Sequence, residues 1–252
     1  MTRKIALITG ASRGLGKSAA LHLAAQGVDI IGTYHSAAQE AQAVVEQVQA
    51  LGGRAAMLQL DVSKSDTFKD FVGEVGTLLR DGFAQNHFNF LINNAGIGVH
   101  ASFAETTEAQ FDQLVAIHFK APFFLTQKLL PLISDGGRII NISSGLARFT
   151  LPGYAAYASM KGAMEVLTRY QAKELGGRGI TVNILAPGAI ETDFGGGAVR
   201  DNAGLNSMVA NNTALGRAGL PDDIGGAIST LLAEGGNWIT GQRIEASGGM
   251  FL

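Results

Sequence analysis

The sequence contains no cysteine. This absence excludes disulfide bonds, catalytic thiols and thiolate metal ligands, and it fits a reducing compartment. Charged residues are also scarce, at 16% of the 252 residues, whereas hydrophobic residues make up 46%. A chain with so much apolar material to bury is not a disordered protein, and its length suits one large domain.

The chain also lacks basic clusters and long apolar segments. Its net charge is −2 at pH 7, and no stripe of Lys and Arg points to nucleic acid or to a membrane surface. No segment approaches the ~20 apolar residues of a membrane span, and the first residues do not have the pattern of a signal peptide. We therefore expect a soluble cytoplasmic protein that binds neither nucleic acid nor membrane, and we predict no metal site.

Glycine, in contrast, is abundant, with 34 residues against a usual share of ~7%. The apolar run 5–9 ends at Gly10, and Gly14 and Gly16 follow before a helical pattern that extends to Gln26. Such glycines turn the chain off a strand and let backbone N–H groups at a helix start approach a pyrophosphate. A glycine-rich turn without a ligand is the alternative, but the flanking strand and helix favour dinucleotide binding.

The end of the second predicted strand, 28–34, bears on the choice of nucleotide. A carboxylate for the ribose hydroxyls is expected there, but the chain reads Tyr34-His35-Ser36. Asp29 lies at the opposite end of the strand. Arg13, inside the glycine loop, could instead bind a 2′-phosphate, which favours NADP over NAD; a solvent-exposed arginine is the alternative.

Two further strands end in polar residues. Asp61-Val62 follows the strand predicted over 55–60, and the Asp61 carboxylate could accept from an adenine amino group or cap a helix near Ser63. Asn93-Asn94-Ala95-Gly96 follows the strand predicted over 88–92. Asparagine with small residues suits a loop packed against both cofactor and sheet.

His118 lies on a helix that begins at a capping box formed by Thr107 and Gln110. Apolar residues at helical spacing surround it, which predicts that it faces inward. On this pattern alone a satisfied core histidine is favoured over a catalytic one. Pro122 should kink or divide this helix.

Ser144, Tyr157 and Lys161 form the candidate catalytic group. Ser144 follows the strand predicted over 138–142, at the sheet edge where open α/β folds bind ligands. Tyr157 and Lys161 share one face if the chain is helical from about Tyr154. A neighbouring cation lowers a phenol's pKa, which would suit acid–base chemistry near neutral pH. The pair alone equally fits a surface tyrosine over a lysine stem.

The remaining chain predicts a lid and completes the sheet. A sixth strand, 180–185, leads into Ala186-Pro187-Gly188, and the loop-rich segment 189–214 then predicts a mobile substrate lid or a mere surface excursion. A helix over 221–233 and a strand over 243–246 follow. No linker or repeat interrupts the alternation of strands and helices. We therefore predict a single α/β domain over 1–252, a doubly wound parallel sheet of about seven strands with helices on both faces.

The chain resembles a short-chain dehydrogenase/reductase over nearly its full length. The resemblance rests on Thr9-Gly10-x-x-x-Gly14-x-Gly16, Asn93-Asn94-Ala95-Gly96, Ser144, Tyr157-x-x-x-Lys161 and Pro187-Gly188, in this order. The Ala-Ser-Arg-Gly loop and the final Gly241-Gln-x-x-x-x-x-x-Gly-Gly-Met make it most similar to the 3-oxoacyl-[acyl-carrier-protein] reductase type. The family implies a Rossmann fold, NADP(H), a small carbonyl or alcohol substrate, and a homodimer or homotetramer.

The resemblance also implies residue roles. Tyr157 would be the general acid in reduction and the base in oxidation, Lys161 would lower its pKa and hold the nicotinamide ribose, and Ser144 would orient the substrate oxygen. The implied cofactor contacts are Gly10, Ser12, Arg13, Gly14, Leu15, Gly16, His35, Ser36, Asp61, Val62, Asn94, Ala95, Gly96, Tyr157, Lys161, Pro187, Gly188, Ile190 and Thr192.

His118 is a departure from the family pattern. It aligns with an asparagine that helps to hold a water in the proton relay, so a neutral imidazole could keep the relay or slow it.

The leading interpretation is an NADP(H)-dependent reductase that interconverts ketones and secondary alcohols. Its substrates could include 3-oxoacyl thioesters. An NAD-dependent alcohol dehydrogenase and an NADP(H)-binding sensor with little turnover are the alternatives.

Overall fold

The computed structural model describes residues 3–252. Within these residues, seven strands form one sheet. They are β1 (Ile5–Ile8), β2 (Asp29–Tyr34), β3 (Ala55–Gln59), β4 (Phe88–Asn93), β5 (Ile133–Ile142), β6 (Thr181–Pro187) and β7 (Arg243–Ala246). The α-helices are α1 (Gly14–Ala25), α2 (Ala38–Ala50), α3 (Phe68–Phe83), α4 (Glu108–Val115), α5 (Ala121–Leu129), α6 (Ala155–Leu175), α7 (Ala198–Asp201), α8 (Ala203–Asn211) and α9 (Pro221–Leu232).

The strand order is β3-β2-β1-β4-β5-β6-β7, and every neighbouring pair is parallel. The order reverses between β1 and β4, which is the point where open α/β sheets bind ligands at the carboxyl ends of their strands. The predicted doubly wound sheet of about seven strands is therefore confirmed.

The central strands are apolar on both faces because helices cover both. All four residues of β1 are buried, as expected for a strand of a parallel sheet. Alternate residues of the strands enter two separate cores, one with α3 and α5 and the other with α1, α2 and α9. This sandwich fixes the strand ends, and with them the polar loops at the carboxyl edge.

The helix that carries His118 is interrupted. A π-helical segment, Ala116–Lys120, connects α4 to α5, and Pro122 lies in the first turn of α5. Proline lacks the N–H that would continue the hydrogen-bond ladder, so a change of helical pitch ahead of it relieves the conflict. Pro122 thus divides the helix as the sequence predicts, and His118 lies on the π-helical turn.

Two boundaries differ from the sequence prediction. β5 begins at Ile133 rather than Arg138, because Ile133 pairs with Phe88 before a shift in register. The segment 189–214 is less loop-rich than predicted, because it contains α7 and α8. Asn202 begins α8 by accepting a hydrogen bond from the Leu205 amide at 2.9 Å. Because the sequence predicts a lid here, we call 189–214 the lid segment.

No helix within residues 3–252 is long and apolar enough to cross a membrane. In the same part of the chain, no group of three or more His, Asp or Glu side chains is arranged to hold a metal ion.

Candidate active site

The glycine loop joins β1 to α1 in a conformation that other residues would not adopt. Gly10 has a φ of +66°, a backbone region that favours glycine. A Cβ at Gly16 would lie 2.2 Å from the Gly10 carbonyl oxygen and 2.6 Å from Asn94 Nδ2. The loop therefore needs glycine at position 10 for its turn and at position 16 for close packing.

Asn94 holds this loop from the neighbouring strand. Its Nδ2 donates to the carbonyl oxygens of Thr9 and Gly10 at 2.9 and 3.0 Å. In return, the Thr9 hydroxyl accepts from the backbone amides of Asn94 and Ala95, both at 3.0 Å. Asn94 therefore stabilises the predicted cofactor loop. Ala95 lies directly beside Gly10.

The start of α1 is suited to an anion. Arg13 is the N-cap residue and makes no capping side-chain hydrogen bond, and the first turn contains no acidic residue. The backbone N–H groups of the first turn of α1 are therefore available to a phosphate. Ser12 is buried below this turn, and Leu15 packs on the core. The loop fits the pyrophosphate of a dinucleotide.

The end of β2 carries no carboxylate, as the sequence indicates. His35 and Ser36 are exposed there. Asp29, at the other end of β2, is fully buried and pairs with Arg54 Nη2 at 2.7 Å. Arg13 Nη1 lies 3.9 Å from an Asp193 carboxylate oxygen, and both side chains are substantially exposed. The end of β2 therefore offers no carboxylate to the ribose, and Arg13 is a nearby cation, although it faces Asp193.

Asp61 has partners of its own. Its Oδ1 accepts from the Ser63 amide and hydroxyl at 3.0 and 2.7 Å. This is a local turn and not the helix cap that the sequence raised as an alternative, because the next helical turn begins after Lys64 without a side-chain cap. Its Oδ2 lies 3.7 Å from His35 Nε2. Val62, the next residue, lines a cavity described below.

The other predicted cofactor residues lie along the carboxyl ends of β4 and β6. Pro187 ends β6, and a Cβ at Gly188 would lie 2.9 Å from Ser247. Ile190 forms a β-bridge with Gly219. Thr192 lies over the glycine loop, because a Cβ at Gly14 would approach it to 3.7 Å. Gly96, which follows Asn94 and Ala95, packs against the His118 ring.

The candidate catalytic side chains converge beneath this edge. Tyr157 and Lys161 lie on α6 and are 8% and 5% exposed. Lys161 Nζ lies 5.5 Å from the Tyr157 ring centroid and donates to the Ile142 carbonyl at 2.8 Å. Ser144 lies just beyond β5, and its Oγ accepts from the Leu146 amide at 3.2 Å. The pair is therefore buried, not a surface tyrosine over a lysine stem.

The predicted effect of Lys161 on the phenol is wrong. Burial raises the pKa of the Tyr157 phenol above its ordinary value of about 10, while the Ser144 hydroxyl acts in the opposite direction. Burial also lowers the pKa of the Lys161 ammonium to about 7. Desolvation of the phenol is the dominant cause of its raised pKa. Tyr157 is a protonated donor, and Lys161 is the group that titrates near neutrality.

Only one of the two ring nitrogens of His118 has a hydrogen-bond partner among the described residues. His118 is 2% exposed, and its Nε2 lies 2.8 Å from the Ile97 carbonyl oxygen. Nδ1 is buried and has no hydrogen-bond partner within residues 3–252. Burial, together with the charge of Lys161, lowers the pKa of the imidazole to about 3. The ring is therefore neutral. Its Nε2 is hydrogen-bonded, whereas its Nδ1 has no partner among the described residues.

A cavity of about 20 Å³ borders His118 and Lys161, and Thr9 and Asn93 also line it. This volume holds about one water molecule. The sequence did not predict a polar cavity at this position, because the cavity depends on side chains from the loop after β1, from β4, from the π-helical segment and from α6.

Aromatic side chains surround the phenol. The rings of Phe194, from the lid segment, and Tyr157 have centroids 5.8 Å apart. Tyr154 meets His100 edge to face at 5.0 Å. Glu165, which was not predicted from the sequence, accepts from the hydroxyl of Ser143, the neighbour of Ser144. Its position four residues after Lys161, on the same helix face, was the available signal.

Comparison with known proteins gives consistent matches along the whole chain. A family model described as enoyl-(acyl carrier protein) reductase matches residues 10–251. The hydroxynaphthalene reductase-like protein Arp2 of Metarhizium brunneum is 34% identical over 98% of this chain and 94% of its own.

Two solved structures are similarly close. The promiscuous reductase LugOII, which catalyses keto-reduction at C1 during lugdunomycin biosynthesis, is 36% identical with a TM-score of 0.94, over 100% of this chain and 99% of its own. The angucycline C-6 ketoreductase LanV, solved with bound NADP, is 34% identical with a TM-score of 0.94, over 99% and 96%. With these matches over its full fold, and with the motifs assembled at one sheet edge, the chain belongs to the short-chain dehydrogenase/reductase family.

Proposed function

We propose that this protein is an NADP(H)-dependent ketoreductase in which Tyr157 is the general acid. The observation that carries the proposal is the buried pair of Tyr157 and Lys161, next to a glycine loop whose helix start is open to an anion. LanV, a ketoreductase of the same family, binds NADP. A site without a carboxylate after β2, but with Arg13 nearby, suits the 2′-phosphate.

Ser144, Tyr157 and Lys161 each have a distinct role in the proposed reduction. Ser144 Oγ accepts from Leu146, which leaves its hydroxyl proton free to bind the substrate oxygen. The nicotinamide supplies the hydride when bound. Tyr157 gives its phenolic proton to the oxygen, so that the ketone becomes a secondary alcohol. Lys161, with a pKa of about 7, can be protonated beside the resulting phenolate and stabilise it.

His118 completes the path of the replacement proton. Its Nε2 lies 2.8 Å from the Ile97 carbonyl oxygen and 3.2 Å from the Ile97 amide; in the tautomer that donates from Nε2 to the carbonyl, Nδ1 is the nitrogen that accepts a hydrogen bond. One water in the adjoining cavity could pair with this nitrogen and with Lys161, and could pass a proton from one to the other. In this role a histidine replaces the asparagine that the family places there.

The substrate that suits the site best is a planar aromatic ketone. Phe194 and Tyr154 pack near Tyr157, and His100 contacts Tyr154. Among the similar proteins, Arp2 is described as hydroxynaphthalene reductase-like and LanV as an angucycline C-6 ketoreductase. Offset or edge-to-face contacts favour such substrates over aliphatic ones. The lid segment, with Phe194 at its start, would close over the bound ketone. A 3-oxoacyl thioester is the competing substrate class.

The protein should act as a homodimer or homotetramer. Four large apolar side chains on the outer faces of α4, α5 and α6 are exposed: Phe111, Phe123, Phe124 and Val166. A second copy of the same face would cover them with symmetry. A single mass from light scattering tests this assignment, and a monomer would contradict it.

The function is tested by turnover of tetralone, a 3-oxoacyl thioester and a short aliphatic ketone with NADPH or NADH. We expect NADPH to be preferred and Tyr157→Phe to lower kcat by about 10²–10⁴-fold, the usual contribution of a positioned acid. Affinity for NADPH should be unchanged. Tyr170→Phe is the matched control, because Tyr170 lies on the same helix and is 65% exposed. Undiminished turnover in Tyr157→Phe would contradict the assignment.

A further inference from the structure

The C-terminal tail, Ser247–Leu252, is part of the substrate side of the molecule. Three backbone hydrogen bonds join it to the end of the lid segment: Ala214 to Gly249, Leu215 to Gly248, and Phe251 to Asn212. The isolated bridge between Thr213 and Met250 belongs to the same short antiparallel pairing. The exit of the lid segment is therefore hydrogen-bonded to the last residues of the chain.

Apolar packing strengthens this connection. Met250 is 2% exposed and lies in one cluster with Val209 of α8. The Phe251 ring meets Phe149, from the loop after Ser144, with centroids 4.8 Å apart. The tail thus lies between the lid helices on one side and the serine loop on the other.

Arg148 fixes the tail from that loop. Its guanidinium binds the Glu245 carboxylate through Nε at 2.8 Å and Nη2 at 2.7 Å. The same group donates to the carbonyl oxygens of Met250 at 2.8 Å and Phe251 at 3.0 Å. Such two-pronged, charge-assisted bonding fixes orientation as well as distance.

The ionic chain continues to the catalytic helix. Arg243 bonds Glu245 at 2.8 Å and Glu165 at 2.7 Å, and Ser143 donates to the same Glu165 oxygen at 2.8 Å. Glu165 and Glu245 are only 17% and 18% exposed, so solvent screens these contacts less than surface pairs. Hydrogen bonding by Arg148 lowers the pKa of Glu245 to about 2 although burial opposes it, and the carboxylate is ionised at working pH.

We propose that Arg148 and Glu245 are positioning residues which hold the lid segment over the substrate site through the C-terminal tail. Neither side chain needs to touch the substrate. The kinetic consequence rests on the proposed ketoreductase function, whereas the mechanical consequence does not. Loss of the pair should loosen the lid exit and weaken substrate binding, while the cofactor site is left intact.

Hydrogen exchange of the full-length protein tests the mechanical part. In Arg148→Met and Glu245→Gln, we expect the amides of Ala214, Leu215 and Phe251 to exchange at least tenfold faster than in wild type. Arg148→Lys keeps the charge but loses the two-pronged hydrogen bonding, so its exchange rates should lie between those of wild type and Arg148→Met. Amides of the central strand β1 should be unaffected in all three, which shows that the fold is preserved.

Arg178→Met is the matched control. Arg178 also binds one carboxylate, Asp135, at 2.7 Å and also donates to backbone carbonyls, but it precedes β6 at the opposite edge of the sheet. The Arg178→Met variant should leave hydrogen exchange of the amides at the lid exit unchanged. Unchanged exchange in Arg148→Met and Glu245→Gln, or equal acceleration by Arg178→Met, would overturn the proposal.

Kinetics on tetralone test the functional part. Arg148→Met should raise KM about tenfold, with a smaller change in kcat and unchanged affinity for NADPH. If wild type turned over no ketone, the proposed function would fail while the exchange result still decided the mechanical role. If turnover were normal and KM in Arg148→Met equalled that of wild type, the positioning role would be wrong.

Discussion

His118 and Tyr157 meet edge to face, with ring centroids 5.1 Å apart and planes at 89°. The two rings come from different elements, the π-helical turn before α5 and the start of α6. Because the imidazole is neutral and its Nδ1 is without a partner among the described residues, the contact places an open ring nitrogen close to Tyr157, the proposed general acid, without adding a charge.

Removing this acceptor should slow proton delivery. We expect His118→Ala to lower kcat about tenfold, which is less than the 10²–10⁴-fold contribution of a group that exchanges a proton with the substrate directly, because His118 would act through a water. The solvent deuterium isotope effect should rise as proton transfer becomes rate-limiting. His118→Asn, which restores the family residue, should retain most of the activity. If both variants kept the wild-type rate, isotope effect and pH profile, His118 would have no part in the relay.

The same histidine should make the fold sensitive to acid. The folded imidazole has a pKa of about 3 against an ordinary 6.5, so below pH 6.5 the unfolded chain binds a proton that the folded chain does not. Stability therefore falls as pH falls, by up to about 1.4 kcal/mol per pH unit.

Urea denaturation at pH 7 and pH 5 measures this effect. Between these values wild type should lose about 2 kcal/mol more than His118→Asn. His87→Asn, at an exposed position, is the control and should behave as wild type. Equal losses in wild type and His118→Asn would show that the imidazole is not buried as a neutral group.

Local patterns were enough to predict most of the fold and the convergence of the site. Apolar runs predicted the strands, and parallel strands bring their carboxyl ends to one edge whatever their order in the chain. Ser144 and the glycine loop could therefore be placed together from sequence. The early start of β5 at Ile133 was missed, because Gly136 and Gly137 have the composition of a turn.

Features that depend on distant partners could not be predicted. The raised pKa of the phenol follows from the burial of Tyr157, which a four-residue spacing does not report. The bond between Arg148 and Glu245 joins residues 97 positions apart. The helices of the lid segment form where apolar packing against Met250 outweighs a glycine-rich composition.

Arg13 should determine the preference for NADPH. A guanidinium bond to a phosphate is worth about 1.5–3 kcal/mol, so Arg13→Met should weaken NADPH binding tenfold or more. NADH, which lacks the 2′-phosphate, should bind the same variant as it binds wild type. Fluorescence titration with both cofactors measures the ratio. A parallel loss for NADPH and NADH would mean that Arg13 does not bind the 2′-phosphate.

Gly16→Ala should damage the cofactor loop. The added methyl would lie 2.2 Å from the Gly10 carbonyl oxygen, and relieving that clash by moving backbone costs about 1–3 kcal/mol. Gly73→Ala is the opposite case, because Gly73 lies within α3 and its added methyl meets nothing within 4 Å. This control should gain about 0.5–1 kcal/mol. Thermal unfolding of both variants tests the pair, and equal stability would contradict the close approach at Gly16.

Lys161 should give the stability of the fold a dependence on pH of the same sign, but in the alkaline range. Burial lowers its pKa from 10.5 to about 7, so between these values the unfolded chain binds a proton that the folded chain has released. Stability should therefore rise with pH by up to about 1.4 kcal/mol per unit. Lys161→Met should remove this rise in urea denaturation at pH 7, 8 and 9. Lys173→Met, on the same helix but exposed, should keep it. Parallel curves for wild type and Lys161→Met would mean that the amine is charged in the folded protein, and that Lys161 then stabilises the phenolate as a permanent cation.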